Sequence, residues 1–454
     1  MAAVPRILII VQNLPVPLDR RVWLECQALT AAGYRVSVIC PKGPGDPSRQ
    51  DIDGVAIFKY APPPAASGAL GYLVEFFYCW LRTALLSLRV LLTRGFDVIQ
   101  ACNPPDTYWA LALPYKLFGK KFVYDQHDLN PEVFRSRFGE PRGLVARLQY
   151  RMLLWLERRT YRTAEHVITT NESYSRIAMR RGAVPAERIT VVRSGPDTRR
   201  MSPVVGEPAL RGGRTHLLVY LGIMGPQDGV DIVLRVLDVL VREHGRRDVH
   251  AALLGFGDTF DELVRLAHEL GLDDYVTFTG RVGPAEIARY LSTASIGVSP
   301  DPLNPLNDVS TMNKTMEYMS FALPVVAFDL AETRVTGGDA VEYVTAAPEG
   351  SDVAAREAAV RRFADAVAVL LDDPQRRSRM ALAGRRRAEQ VLDWRPQRAA
   401  YVGAYDALTG HLSPALGGED AGPEPVPSQG RLIDVTNDAA VLAFGADRGA
   451  DGPS

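Results

Sequence analysis

Residues 6–41 read RILIIVQNLPVPLDRRVWLECQALTAAGYRVSVICP. The run 6–13 is apolar until it ends in polar turn residues, the pattern of a strand buried on both faces. NLPVPLDRR follows as a loop. VWLECQALTAAGY has helical periodicity and stops at Gly33. RVSVICP is a second buried strand. Strand, loop, helix and strand within about 40 residues open a doubly wound α/β domain. The first loop carries prolines where a dinucleotide-binding protein has GxGxxG, so no NAD site is read there.

Outward from this stretch the alternation continues. FDVIQAC, KFVYDQHDLNPEVF, HVITTNESY and RITVVRSGPD are further strand-to-loop transitions. His127 and Asp128 fall at a C-terminal strand end, where open α/β sheets place their ligands. APPPAASG (61–68) reads as a linker and 71–95 as a long apolar helix containing Arg82, Arg89 and Arg94. Those arginines interrupt the ~20-residue apolar run of a membrane span. The helix is expected to pack on its own sheet, with an interfacial position on a membrane as the alternative. A second basic, apolar helix covers 143–163 and carries Arg147, Arg151, Arg158, Arg159 and Arg162.

The Pro- and Gly-rich stretch 202–214 reads as an interdomain linker, after which the alternation restarts. The expected organisation is an N-terminal Rossmann-like domain over 1–201, the linker, a second such domain over 215–390, a closing helix over 391–410 and a disordered tail over 411–454.

Hydrophobic residues make up 47% and charged residues 23% of the 454 residues, ordinary for a globular chain of two or three domains. Four cysteines without CxxC spacing argue for free thiols in a reducing compartment rather than a disulfide framework or zinc site. The N-terminus lacks the charged segment and cleavage signal of a secretory peptide. The net charge of −1 hides an asymmetry: residues 1–200 hold 28 Lys and Arg against 17 Asp and Glu, the remainder 24 against 36. The basic half would suit an anionic membrane surface. Its basic residues lack the interleaved aromatics of a nucleic-acid platform, so no nucleic-acid partner is expected.

STMNKTMEYMSFALP (310–324) reads as a loop feeding a short helix, capped by Ser310 or Thr311. Asn313 and Lys314 occupy its first turn, and Glu317 lies one turn on. Helix N–H groups and dipole attract phosphate, a lysine adds a point charge, and a carboxylate can accept two ribose hydroxyls. The alternative is a surface helix with an i,i+3 Lys–Glu pair.

Three segments of the C-terminal half, YLGIMGPQDGVDIVLRVL, LLGFGD…LVRLAHELGLDDYVTFTGRV and NKTMEYMSFALPVVAF, together with YDQHDLNPE, HVITTNES and VVRSGPD, resemble the retaining nucleotide-sugar glycosyltransferases called family 4. The resemblance runs from about residue 5 to 409. It implies the GT-B architecture of two tandem Rossmann-like domains with a closing helix. It further implies a cytoplasmic enzyme, peripheral on the inner face of the plasma membrane, that moves a sugar from a UDP- or GDP-linked donor to a sugar or lipid-linked acceptor. Cell-surface polysaccharide or glycolipid assembly is the setting it suggests, with neither metal nor cofactor.

By the same resemblance, Glu317 binds the donor ribose, and Gly255, Gly257 and the segment 279–282, with Arg281 and Val282, line the base. The loop 222–229, with Gly222, Gly225 and Gln227, approaches the phosphates, and His127 lies near the anomeric carbon or a sugar hydroxyl. The family's first glutamate falls on Val309, and the Arg and Lys of its phosphate loop fall on Ile223 and Asp228. The glycine pair after its first strand is replaced by Leu14-Pro15. Lys314, Arg193 and the helix start near Asn313 are the substitutes for the lost cations, and Asp308 for the lost glutamate. Asp19, Arg20, Asn103, Asp106 and Asp128 are the acceptor-side candidates, and Arg21, beside Asp19 and Arg20 on the first loop, is a further candidate for a donor or acceptor phosphate. Asp51 and Asp53 form a DxD without a neighbouring ligand, so no metal is assigned to them. Two other functions fit the same architecture, a nucleotide-sugar epimerase and a non-catalytic partner subunit. The first lacks a carboxylate cluster for proton abstraction, and the second is favoured by Ile223, Asp228 and Val309.

Overall fold

The computed structural model describes residues 4–63 and 68–414. Most of the expected tail, and residues 64–67 of the linker at 61–68, lie outside them. The chain forms two compact units, one from residues 1–130, 147–192 and 398–454, the other from 131–146 and 193–397. Besides the excursion of 131–146, the chain passes from the first unit to the second at 192/193 and returns at 397/398. The segment 202–214 packs within the second unit, where Val204 N donates to Ser292 Oγ (2.9 Å) and Glu207 N to Thr293 Oγ1 (2.8 Å).

The N-terminal unit holds an eight-stranded sheet. Its strands are β1 (Arg6–Ile10), β2 (Arg35–Pro41), β3 (Arg49–Ile52), β4 (Val55–Tyr60), β5 (Val98–Cys102), β6 (Lys121–Gln126), β7 (His166–Thr169) and β8 (Ile189–Val191), in the order 3-4-2-1-5-6-7-8. All pair in parallel except β3, an antiparallel edge strand joined to β4 through Asp53 and Gly54. Both turn residues have positive φ (50° and 80°), as a two-residue hairpin of this twist requires. The apolar runs of β1, β2 and β5 are buried because helices cover both faces.

The second unit holds six parallel strands: β9 (His216–Leu221), β10 (Val249–Leu254), β11 (Val276–Gly280), β12 (Ile296–Ser299), β13 (Val325–Phe328) and β14 (Val341–Val344), in the order 11-10-9-12-13-14. Helices follow at Val353–Asp372 and Pro374–Arg387; Pro374 lacks the N–H to continue the first and begins the second.

Each sheet reverses its direction of winding once, between β1 and β5 in the first and between β9 and β12 in the second. Ligands of doubly wound sheets bind beyond the carboxyl ends of strands at such points. The loops after β1, β5 and β6 meet that condition in one unit, those after β9 and β12 in the other.

The closing helix, Trp394–Thr409, belongs to the N-terminal unit from Arg398 onward. Tyr401 and Tyr405 are buried and donate to Gln100 Oε1 of β5, Tyr401 at 2.6 Å. Tyr34 donates to Asp406 Oδ1 at 2.5 Å.

Candidate functional site

In the N-terminal unit the first loop delivers Asp19 as the N-cap of the helix Arg20–Ala31, its Oδ1 accepting from Val22 N at 3.1 Å. Asp19 is thus tied to the helix start through one carboxylate oxygen and is half-buried, and Arg20 is exposed. The helix turns Arg21 inward instead. Its Nη2 donates to Asp125 Oδ1 (3.0 Å), its Nη1 to Val192 O (2.8 Å), and its Nε lies 3.0 Å from Glu25 Oε1. His127 stands at the end of β6 with Nε2 2.8 Å from Asp125 Oδ2 and 3.0 Å from Arg21 Nε.

One ring nitrogen cannot both donate to Asp125 and accept from Arg21. Burial opposes a charge on His127, but Asp125 outweighs it and raises the imidazole pKa above its ordinary value. Nε2 therefore carries a proton toward Asp125, and Arg21 Nε serves Glu25. Burial raises Asp125, but Arg21 and then His127 pull it below the usual carboxylate range. Burial, reinforced by Asp125, pushes Glu25 up to about 8. Gln100 Nε2 ties the two carboxyls together, at 2.8 Å to Glu25 Oε2 and 2.9 Å to Asp125 Oδ2. The imidazole is thus fixed through Nε2, and no described residue bonds its Nδ1.

Asn103 and Asp106 build this loop rather than face a ligand. Asn103 Oδ1 accepts from the N–H groups of His127 (2.7 Å) and Asp128 (3.1 Å). Asp106 is buried and accepts from Tyr124 Oη, Asn103 Nδ2 and Asn130 Nδ2. Both leave the acceptor set because their polar atoms are spent inside the protein. Asp128 remains partly exposed beside His127.

Glu25, Cys102, Asp125 and His127 bring metal-capable atoms within 4.8 Å of one another. The guanidinium of Arg21 lies against two of these carboxyls, Asp125 and Glu25.

In the C-terminal unit, three loops are joined by backbone hydrogen bonds. Gly222 N donates to Leu254 O (3.0 Å), Met224 N to Phe256 O (2.9 Å) and Gly255 N to Gly280 O (3.1 Å). At Gly255 (φ +150°) a Cβ would sit 1.8 Å from Gly222 O, and at Gly257 2.5 Å from Met224 O, so only glycine admits this approach. Arg281 lies over the exposed ring of Phe256 at 5.2 Å, and Val282 packs against the core. Gln227 lends its carbonyl to Asn307 Nδ2 at 3.0 Å. Gly225 N donates to Asp228 Oδ2 at 2.9 Å.

The helix Asn313–Ser320 has Met312 as N-cap, with no side-chain capping bond; Ser310 Oγ donates back to Leu306 O and does not cap it. Thr315 N donates to Met312 O at 3.0 Å, and the N–H groups of Asn313 and Lys314 precede any acceptor that the helix itself supplies. Lys314 is neither a solvated helix-face lysine nor the partner of Glu317. It is buried, with Nζ 2.6 Å from Asp301 Oδ1 and 5.3 Å above the Tyr220 ring. Ser299 Oγ completes Asp301 at 2.6 Å. Burial, with Asp301 adding to it and Lys314 opposing, raises Asp228 to about 6. Asn313 is exposed and Glu317 partly buried on the same short helix.

Arg193 is buried against Glu332, Nη1 to Oε1 at 3.0 Å, with its N–H given to Gln397 Oε1. Asp308 Oδ1 accepts from Ala331 N at 2.8 Å. Both substitutes therefore already hold partners, a buried carboxylate for Arg193 and a backbone N–H for Asp308. Arg21, expected on the first loop as a phosphate contact, is instead spent on Asp125 and Glu25, and Glu25, Gln100, Asp125 and Asp301 are the site residues that sequence reading passed over. A Glu four residues after an Arg in the apolar helix VWLECQAL was the one available signal.

Residues 18–195 match the glycosyl transferase 4-like domain model and residues 215–373 the glycosyl transferases group 1 model. A GDP-mannose-dependent alpha-(1-6)-phosphatidylinositol monomannoside mannosyltransferase of Mycobacterium tuberculosis is 30% identical over 56% of this chain, a match spanning 62% of that relative's length. A glycogen synthase of the same organism is 26% identical over 86% of this chain and 90% of its own. The sucrose-phosphate synthase structure of Thermosynechococcus elongatus shares the fold, with TM-score 0.69 at 18% identity over 89% of this chain and 99% of that one. With its two Rossmann-like units, the chain is a GT-B protein that belongs to the glycosyl transferases group 1 family, with a glycosyl transferase 4-like domain at its N-terminal end.

Proposed function

We propose that this protein transfers a sugar from a nucleoside-diphosphate donor to an acceptor hydroxyl, with retention at the anomeric carbon and without a metal ion. The observation that carries the reading is the set of glycine loops after β9, β10 and β11 beside the uncapped start of the helix Asn313–Ser320. Glycines let a ligand approach the backbone, and free N–H groups with the helix dipole suit a diphosphate. Glu317 is assigned the ribose, and Phe256 with Arg281 the base. The departing diphosphate would be stabilised by N–H groups, because Lys314 is already matched by Asp301. His127, held through Nε2, is assigned a sugar or acceptor hydroxyl at Nδ1. No protein nucleophile is assigned for this retention, and a donor phosphate oxygen is the group proposed to assist the acceptor. The mannosyltransferase and synthase relatives support glycosyl transfer as the class of reaction.

The test is nucleotide-sugar hydrolysis by the full chain across UDP- and GDP-linked donors, with wild type beside Glu317→Ala. One donor should be turned over slowly and the substitution should abolish it. Equal rates in both proteins would remove Glu317 from the site. Calorimetry that detects no nucleoside diphosphate binding would favour a non-catalytic partner subunit.

A further inference from the structure

The helix Gly68–Thr93 is packed inside out. Its inward face is Cys79, Thr83, Ser87 and Val90, all buried. Two of these spend hydroxyls on the helix Tyr108–Lys116, Thr83 to Tyr108 Oη at 3.4 Å and Ser87 to Tyr115 Oη at 2.8 Å. Its outward face is Val74, Phe77, Leu81, Leu85, Leu88 and Leu92, each exposed, Phe77 by 66% and Leu92 by 77%. The spacing of 3 and 4 makes one continuous apolar stripe along the helix. Residues 74–93 are apolar and long enough to cross a membrane, with mean hydropathy 1.3. The hydroxyl contacts instead lay the helix along the unit.

The neighbouring helices extend this face. Tyr108–Lys116 lies between Gly68–Thr93 and Gly143–Thr163, to which Trp109 and Trp155 join it edge to face at 5.8 Å. Leu113, Leu117 and Phe118 are exposed on the middle element, and Leu148, Met152 and Trp155 on the third. Such a patch on a folded unit marks a partner. Its charge identifies which one. Arg82, Arg89, Arg147, Arg151, Arg158 and Arg159 are exposed along the two long helices. The two carboxylates in those helices are Glu75, which is partly buried, and Glu157, which is buried against Arg181.

We infer that this three-helix face docks on an anionic lipid bilayer, the leucines and Phe77 entering the headgroup boundary and the arginines meeting lipid phosphates. A second copy would bring two arginine-rich faces together, which the same charges oppose. The inference does not rest on the catalytic reading, and vesicle binding is measured without turnover.

The test is co-sedimentation of the full chain, at about 0.1 M salt, with vesicles of equimolar phosphatidylglycerol and phosphatidylcholine and with vesicles of phosphatidylcholine alone. Wild type should bind the first at least tenfold more tightly. Phe77→Asp with Leu85→Asp, and separately Arg82→Glu with Arg89→Glu, should each lose at least tenfold, since each arginine near an anionic surface contributes about fivefold. Unchanged circular dichroism melting would show that the variants fold. Wild type that ignores the anionic vesicles, or binding that survives both variants, would overturn the inference. A dimer abolished by the Phe77 and Leu85 substitutions would also overturn it, in favour of a second copy.

Discussion

The His127 cluster and the Lys314 cluster are both buried, yet they balance charge in opposite ways. Around His127 the Arg21 guanidinium and the imidazole both face the Asp125 carboxylate, while burial raises the neighbouring Glu25. Around Lys314 one cation faces two carboxyls, Asp301 and Asp228, and has nothing left over for a ligand. The first cluster holds side chains still through shared hydrogen bonds. The second, with its lysine already matched, stands beside glycine loops that touch backbone to backbone.

The contrast can be broken most severely at Asp125. Asp125→Asn strands Arg21 and His127 without their shared partner, and loss of one member of a buried pair costs about 3–5 kcal/mol. Urea unfolding should show a loss of that size. A loss below about 1 kcal/mol would mean the cluster is not held by this carboxylate. In the other unit the matching change is steric. Gly255→Ala forces a methyl onto Gly222 O, an overpacking of about 1–3 kcal/mol, and should abolish nucleotide binding in calorimetry. Retained affinity would show that the glycine loops do not hold the nucleotide.

The smallest effect is a pH dependence at Asp228. Its folded pKa of about 6 lies above the ordinary 3.8. The folded state therefore binds a proton more tightly than the unfolded chain, and the stability this contributes is present at acid pH and falls as pH rises from about 4 through 6. An ionised Asp228 also opposes a diphosphate. Nucleotide-sugar affinity should weaken severalfold between pH 5 and 7, and Asp228→Asn should flatten the profile. Equal slopes in both proteins would place Asp228 away from the phosphates.

Much of the architecture was legible in residues 6–41 and in the restart after 214, because strands buried on both faces must be apolar throughout and the helices between them periodic. The hairpin strand β3 escaped notice although Asp53-Gly54 announced it, since four residues alternating exposed and half-buried carry little pattern. The helix of Asn313, Lys314 and Glu317 was legible for the same reason as the strands: its signals are local.

Pairing was not. Lys314 finds Asp301 13 residues away, Arg193 finds Glu332 139 residues away, and Tyr405 of the closing helix finds Gln100 305 residues away. The sequence by itself determined the strand-helix alternation, the glycine loops and the candidate carboxylate, because these depend on backbone preference and periodicity. Only the tertiary structure decided which charges are already spent, which hydroxyls face inward on the helix Gly68–Thr93, and which unit the last helix completes. Coulomb energy and burial depend on distance in space, and residue order leaves that distance open.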